Sequence, residues 1–224
     1  MSDQINSEDM GMTRGASPDR LAAFSDAVIA VIITIMVLEL KGPDRASFAA
    51  LFDLWPTALS YAVSYLFIAI IWINHHHLMR FVRRPTNRLI WLNFVHLFLV
   101  SLVPFATQWA ARTRLGSAAV VVWALVFVCV DLAYLAFERA VMAQADYSQV
   151  PEKAKRQTRI RSLVTVAIFA AASVAAVFSP IAGVVLICVA LSFFVRPEVR
   201  GLRLASARIG APRGGDAPTA GVST

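Results

Sequence analysis

The sequence predicts an all-α membrane protein of six transmembrane helices with both termini in the cytoplasm. Three observations carry that prediction. Of 224 residues, 58% are hydrophobic and only 16% charged, whereas a water-soluble domain carries about 25% charged residues. The apolar residues lie in long blocks divided by short charged stretches, and mean hydropathy is +0.65. The bases gather in the gaps between blocks, so the net charge of +7 reads as a topology signal and not as a nucleic-acid surface. A soluble enzyme, a secreted disulfide scaffold and a disordered chain are disfavoured together. Cys129 and Cys188 both sit inside apolar blocks, which leaves neither a disulfide framework nor a metal-ligand spacing.

A helix crossing roughly 30 Å of hydrocarbon needs about 20 residues. Leu21 to Leu40 supply the first span, closed by Lys41-Gly42-Pro43. The second runs from about Leu54 to Met79, the third from Leu89 to about Gln108, and the fourth from Ser117 to Phe137. The block from Ser162 to Val195 is too long for one span. Ser179-Pro180 breaks it into a tight hairpin of two short helices, since proline lacks an N–H and clashes with the preceding turn.

Orientation follows from the cations. With six spans, all of the 21 lysines and arginines except Lys41, Arg45, Arg112 and Arg114 fall on the side holding both termini, which is therefore cytoplasmic. Residues 1–18 are expected to be a disordered cytoplasmic N-terminus, 19–196 the six-helix domain, and 197–224 a cytoplasmic, largely disordered tail. No internal repeat is found. Symmetry around any pathway has to come from several copies of the chain.

Function in a membrane chain is advertised by residues that hydrocarbon rejects: a carboxylate at mid-membrane costs roughly 2.5–3.5 kcal/mol on insertion scales. Asp26 stands about 9 Å along the helix axis from Arg20. His75, His76 and His77 precede Arg80, His96 follows Arg88, and Asp131 precedes Arg139, so all fall in the cytoplasmic half. The cluster fits a buried network that pins helices together, with a proton relay as the functional alternative. A metal site is the weaker idea, because three consecutive histidines fan out by about 100° each. Histidine titrates near neutral pH, which leaves pH sensitivity open.

The first span carries a sharper pattern. Val31, Ile35 and Leu38 follow i, i+4, i+7, with Thr34 beside them. Such a stripe serves ordinary packing or faces lipid. Joined in one helix with a buried acid and a central threonine, and contributed by several chains around an axis, it also suits a hydrophobic constriction that gates by dewetting. Thr34 would then offer hydroxyl oxygens to a partly dehydrated cation.

Arg20-Leu21-Ala22-Ala23-Phe24-Ser25-Asp26 fits R-x-x-x-F-S-D at the start of the first span. That run resembles the signature of the endolysosomal potassium-channel family and its prokaryotic members. The continuation AVIAVIITIMVLEL, the Trp72-x-Asn74-His75-His76 run and the six-helix layout are similar to the same family. The resemblance implies a cation channel without the familiar T-V-G-Y-G filter, its pore lined by the first helix of each subunit. A single-repeat chain would be a homotetramer. The constriction would fall to Val31, Ile35 and Leu38, and cation preference to Thr34. Arg20, Phe24, Ser25 and Asp26 would hold the helix through polar contacts with neighbours such as His75, His76 or His77, with Asn74 in the same run. Val31 is smaller than the isoleucine or leucine usual at its position, a departure that bears on the tightness of the gate.

The expected function is passive, potassium-preferring cation conduction through that constriction. The rival is a proton-coupled transporter using Asp26, Asp131 and the histidine cluster. Such proteins show broken helices near mid-membrane, and Pro104 is the only proline well inside the first four spans, near an outer end. No Ser/His/Asp arrangement with supporting context, zinc-spaced motif or glycine-rich phosphate loop occurs, so no enzyme, cofactor or metal is expected. Potassium ions and the lipid bilayer are the expected partners. The single repeat suggests a prokaryote, with the chain multi-pass in its plasma membrane.

Overall fold

Serine, threonine and proline write the helix starts of this chain. Ser17 stands in extended backbone, and its Oγ accepts a 3.3 Å hydrogen bond from Arg20 N, with Pro18 and Asp19 opening the first turn. Thr86 caps its helix in the same way through Leu89 N at 3.3 Å. The computed structural model describes residues 17–144 and 152–194. Its elements are α1 Pro18–Leu38, α2 Phe48–Phe52, α3 Trp55–Met79, α4 Asn87–Ser101, α5 Val103–Arg112, α6 Ser117–Met142, α7 Glu152–Phe178 and α8 Pro180–Phe194. No strand occurs among the described residues.

Four segments, Pro18–Leu38, Trp55–Met79, Asn87–Arg112 and Ser117–Met142, are long and apolar enough to cross a membrane. Two shorter apolar helices, Ser162–Phe178 and Pro180–Ser192, follow them. The chain breaks between α7 and α8 at Ser179, where the proline predicts it.

Several boundaries differ from the sequence expectation. α1 closes at Leu38, not Leu40, with Glu39 N turning back onto Met36 O at 3.3 Å ahead of Gly42-Pro43. The third span reaches Arg112 and is interrupted at Leu102, because Pro104 has no N–H to give Val100 O. α6 continues past Phe137 to Met142, and α7 begins at Glu152, well before Ser162. The five-residue α2, capped by Ser47, lies in a loop that apolar-block reading passes over because it is shorter than a span. Nearly all of the N-terminal segment and all of the C-terminal tail expected to be disordered lie outside the described residues.

α1 lies against α3 and α4, α3 against α5, α4 and α5 against α6, α6 against α7, and α7 against α8. The main core is aromatic at its centre. Phe67 of α3 stacks on Phe127 of α6 with ring centroids 3.9 Å apart, and Phe169 of α7 meets both edge-on at 5.8 and 5.3 Å. A second cluster, including Leu21, Leu78, Val82, Leu89, Phe137 and Val141, ties α1, α3, α4 and α6 together at one end. Buried polar residues of α1, α3 and α4 accompany these apolar clusters.

Candidate functional site

One face of α1 is committed to the fold. Leu21, Ser25, Ile29, Ile32 and Met36 are buried at three- and four-residue spacing. At about 100° per residue the opposite face carries Phe24, Val31, Thr34, Ile35 and Leu38, with Ala23, Ala27 and Ala30 along it, all exposed. Val31 is 54%, Ile35 45% and Leu38 78% exposed, so no other described part of the chain covers them. Thr34 donates its hydroxyl proton to Val31 O at 2.8 Å, which leaves its oxygen free to accept.

Two polar chains hold the committed face. In the buried one, His75 Nε2 donates to Asn93 Oδ1 at 2.8 Å and Asn93 Nδ2 donates to Ser25 Oγ at 2.9 Å. Ser25 then passes its own proton to Leu21 O at 2.9 Å, so α3, α4 and α1 are joined in one line. His75 also stacks between His96 and Phe137, at centroid distances of 5.7 and 5.4 Å. The second chain is half-exposed: Trp72 Nε1 donates to Asp26 Oδ1 at 2.9 Å, and His76 Nδ1 lies 3.4 Å from Asp26 Oδ2. Arg80 Nη2 reaches His76 Nε2 at 3.5 Å.

The expected residues thus separate into distinct jobs. His76 is the histidine that meets Asp26, and His75 serves Ser25 through Asn93. His77 turns away and donates to Ile73 O of its own helix at 2.6 Å. Phe24 packs edge-on against Phe94 at 5.6 Å. Asn74 contributes its carbonyl, 3.4 Å from the Tyr134 hydroxyl. Arg20 has no side-chain hydrogen bond or ion pair among the described residues, so the polar role expected of it is not seen there. Asp131 is buried on α6, and no hydrogen bond joins it to Asp26 or to a histidine among the described residues. Its Oδ2, His75 Nδ1 and both ring nitrogens of His96 are buried without hydrogen-bond partners among those residues.

Residues that sequence reasoning passed over complete the arrangement. Asn93 is the hub of the buried chain; its signal was a polar residue one turn before His96 inside an apolar span. Further along α3, Ser64 Oγ accepts from Trp123 Nε1 at 2.9 Å and lies 2.6 Å from Thr107 Oγ1, linking α3, α5 and α6. No group of three or more His, Cys, Asp or Glu able to hold a metal occurs among the described residues.

Comparison with known proteins bears on this arrangement of an anchored helix with an uncovered apolar face. The model of the family described as "Endosomal/lysosomal potassium channel TMEM175" matches residues 20–104. A Chryseobacterium protein named a potassium channel is 39% identical over 131 residues, covering 58% of this chain and 66% of that one. A potassium channel from Streptomyces collinus is 34% identical over 152 residues, covering 63% of this chain and 74% of that one. The crystal structure of a lysosomal potassium-selective channel TMEM175 homolog from Chamaesiphon minutus superposes with a TM-score of 0.69 at 25% identity, over 80% of this chain and 97% of that one. Vertebrate relatives, the human one 32% identical over 104 residues and only 21% covered, are named endosomal/lysosomal proton channels. The chain is a membrane protein that belongs to the TMEM175 family of ion channels.

Proposed function

We propose that this protein is a potassium-preferring cation channel that conducts passively through a constriction made by the α1 helices of a homotetramer. The observation that carries the reading is the division of α1. One face is tied down by Ser25 and Asp26, and the other leaves Val31, Thr34, Ile35 and Leu38 uncovered. Ala23, Ala27 and Ala30 along that face let neighbouring helices approach closely around an axis. Val31, Ile35 and Leu38 then form an apolar neck that gates by dewetting, and Thr34 presents hydroxyl oxygens to the permeating ion. Phe24, Ser25, Asp26, Asn74, His75 and His76 form the frame around the neck and not its lining, and Arg20 and His77 are assigned to that frame by the motif alone. The potassium-channel names of the bacterial relatives support the choice of ion. The domain is six-spanning over residues 19–196, with cytoplasmic termini, in the plasma membrane of a prokaryote.

A second reading is proton conduction, favoured by the vertebrate names and by the Asp26–His76–Arg80 line. Proton-coupled transport through Asp26, Asp131 and the histidines has less support, since no hydrogen bond joins Asp131 to the others among the described residues.

Flux from liposomes holding the purified protein separates these readings. Potassium efflux should exceed sodium efflux, require no proton gradient, and rise in Ile35→Asn, where an amide wets the neck. Saturable transport that demands a proton gradient would replace the channel reading. Unchanged flux in a normally assembled Ile35→Asn would remove Ile35 from the gate.

A further inference from the structure

Between Asp53 and Asp131 the sequence contains no Asp or Glu, yet Arg80, Arg83, Arg84 and Arg88 crowd the connection between α3 and α4. All four are exposed. The connection is not a loose tether. Val82 and Leu89 are buried in the apolar cluster with Leu21, Phe137 and Val141, and Arg84 N donates to Gln144 Oε1 at 3.3 Å, just beyond α6. That bond brings the connection beside the end of α6, whose Arg139 is exposed on the side of the helix opposite Phe137 and Val141.

Arg80 reaches His76. The side chains of Arg83, Arg84, Arg88 and Arg139 make no hydrogen bond or ion pair among the described residues. Two of the described acids toward this end are engaged. Asp26 holds Trp72 and His76, Glu138 has an interaction of its own, and Asp19 lies in the first turn of α1. Charge asymmetry between loops would orient the chain wherever the bases sat. It does not call for three guanidinium groups without a partner among the described residues on one pinned connection.

The geometry points to Arg83, Arg84 and Arg88 as a binding surface for the phosphate headgroups of anionic phospholipids. Three features fit that occupant. A guanidinium matches a phosphate oxygen pair with two parallel hydrogen bonds. The surface stands between the ends of two membrane-capable segments, Trp55–Met79 and Asn87–Arg112, and bases at such ends meet the anionic lipid surface. Trp91, 70% exposed and about 6 Å into α4 from Asn87, places an aromatic ring where the headgroup layer meets the acyl chains. The inference concerns bound lipid and not the permeating ion, so it stands whichever ion the protein conducts.

The test uses the full chain, purified and delipidated in zwitterionic detergent, then titrated with phosphatidylglycerol or phosphatidylcholine. Bound lipid is counted by native mass spectrometry, and the unfolding midpoint is read alongside. Phosphatidylglycerol should bind and raise the midpoint at low salt and be stripped as ionic strength rises, while phosphatidylcholine should not bind. R83Q/R84Q/R88Q should weaken phosphatidylglycerol binding by at least about tenfold. R83K/R84K/R88K, which keeps the charge that orients the chain, should retain part of it. K41Q/R45Q, in the loop that leads into α2, should bind as the parent does. Equal binding of both lipids, or equal phosphatidylglycerol binding by the glutamine variant, would each overturn the assignment. Should the glutamine variant fail to fold, the salt dependence and the lysine variant decide.

Discussion

Asn93 shows how one amide fastens three helices. Its oxygen takes the His75 proton and its nitrogen serves Ser25, so both ends are used in the same buried line. Asn93→Leu keeps the size and removes both bonds, which leaves His75 Nε2 and Ser25 Oγ short of a partner. A buried polar group deprived of its partner costs about 1–3 kcal/mol. We therefore expect a lower unfolding midpoint and less assembled protein in size-exclusion chromatography; a variant with the parent's midpoint would show the line to be dispensable. Asp26 is more open, and its replacement should act chiefly on assembly. Asp26→Ala strips Trp72 and His76 of their shared acceptor. Normal oligomers without conductance would instead place Asp26 in the conduction path. Ser25, Asp26, His75 and His76 were legible from the motif, whereas Asn93 was not. A lone asparagine in an apolar span carries no spacing that says which helices it faces.

At the scale of helices, the α7–α8 hairpin rests on close approach of small side chains. A Cβ added at Gly183 would lie 2.6 Å from Ala176 Cβ and 3.1 Å from Ala172 O, so even alanine forces the helices apart. Overpacking of this kind costs typically about 1–3 kcal/mol. Gly183→Ala should lower the unfolding midpoint, while Gly42→Ala, with nothing within 4 Å of its added Cβ, should not. Equal midpoints for the two would mean the hairpin relaxes at no cost. The break itself was readable from Pro180, because a missing N–H is a local property. The interruption at Leu102 has the same cause in Pro104. The small α2 was not readable: with Phe48 and Phe52 exposed it buries no face of its own.

For the whole molecule, the uncovered face of α1 is where the proposed assembly is tested. If α1 helices line a shared axis, cysteines placed on that face should cross-link between subunits in vesicles. With Cys129 and Cys188 replaced by serine, Leu38→Cys should give linked dimers on oxidation. Met36→Cys, only 2% exposed within its own subunit, should not. Absence of linkage from Leu38→Cys in protein that still conducts would move the pore away from α1.

The sequence by itself determined the membrane class, the positions of the long apolar helices, the break at Pro180 and the family. The first three rest on composition, or on local rules that operate within a few residues, and the family rests on the resemblance carried by the Arg20–Asp26 and Trp72–His76 runs. Tertiary structure alone decided which histidine meets which partner, that Asn93 joins three helices, and that Arg83, Arg84 and Arg88 stand at one end without a partner among the described residues. Those pairings depend on the rotation of one helix against another, set by packing between segments far apart in the chain. No periodicity along a single helix encodes that rotation.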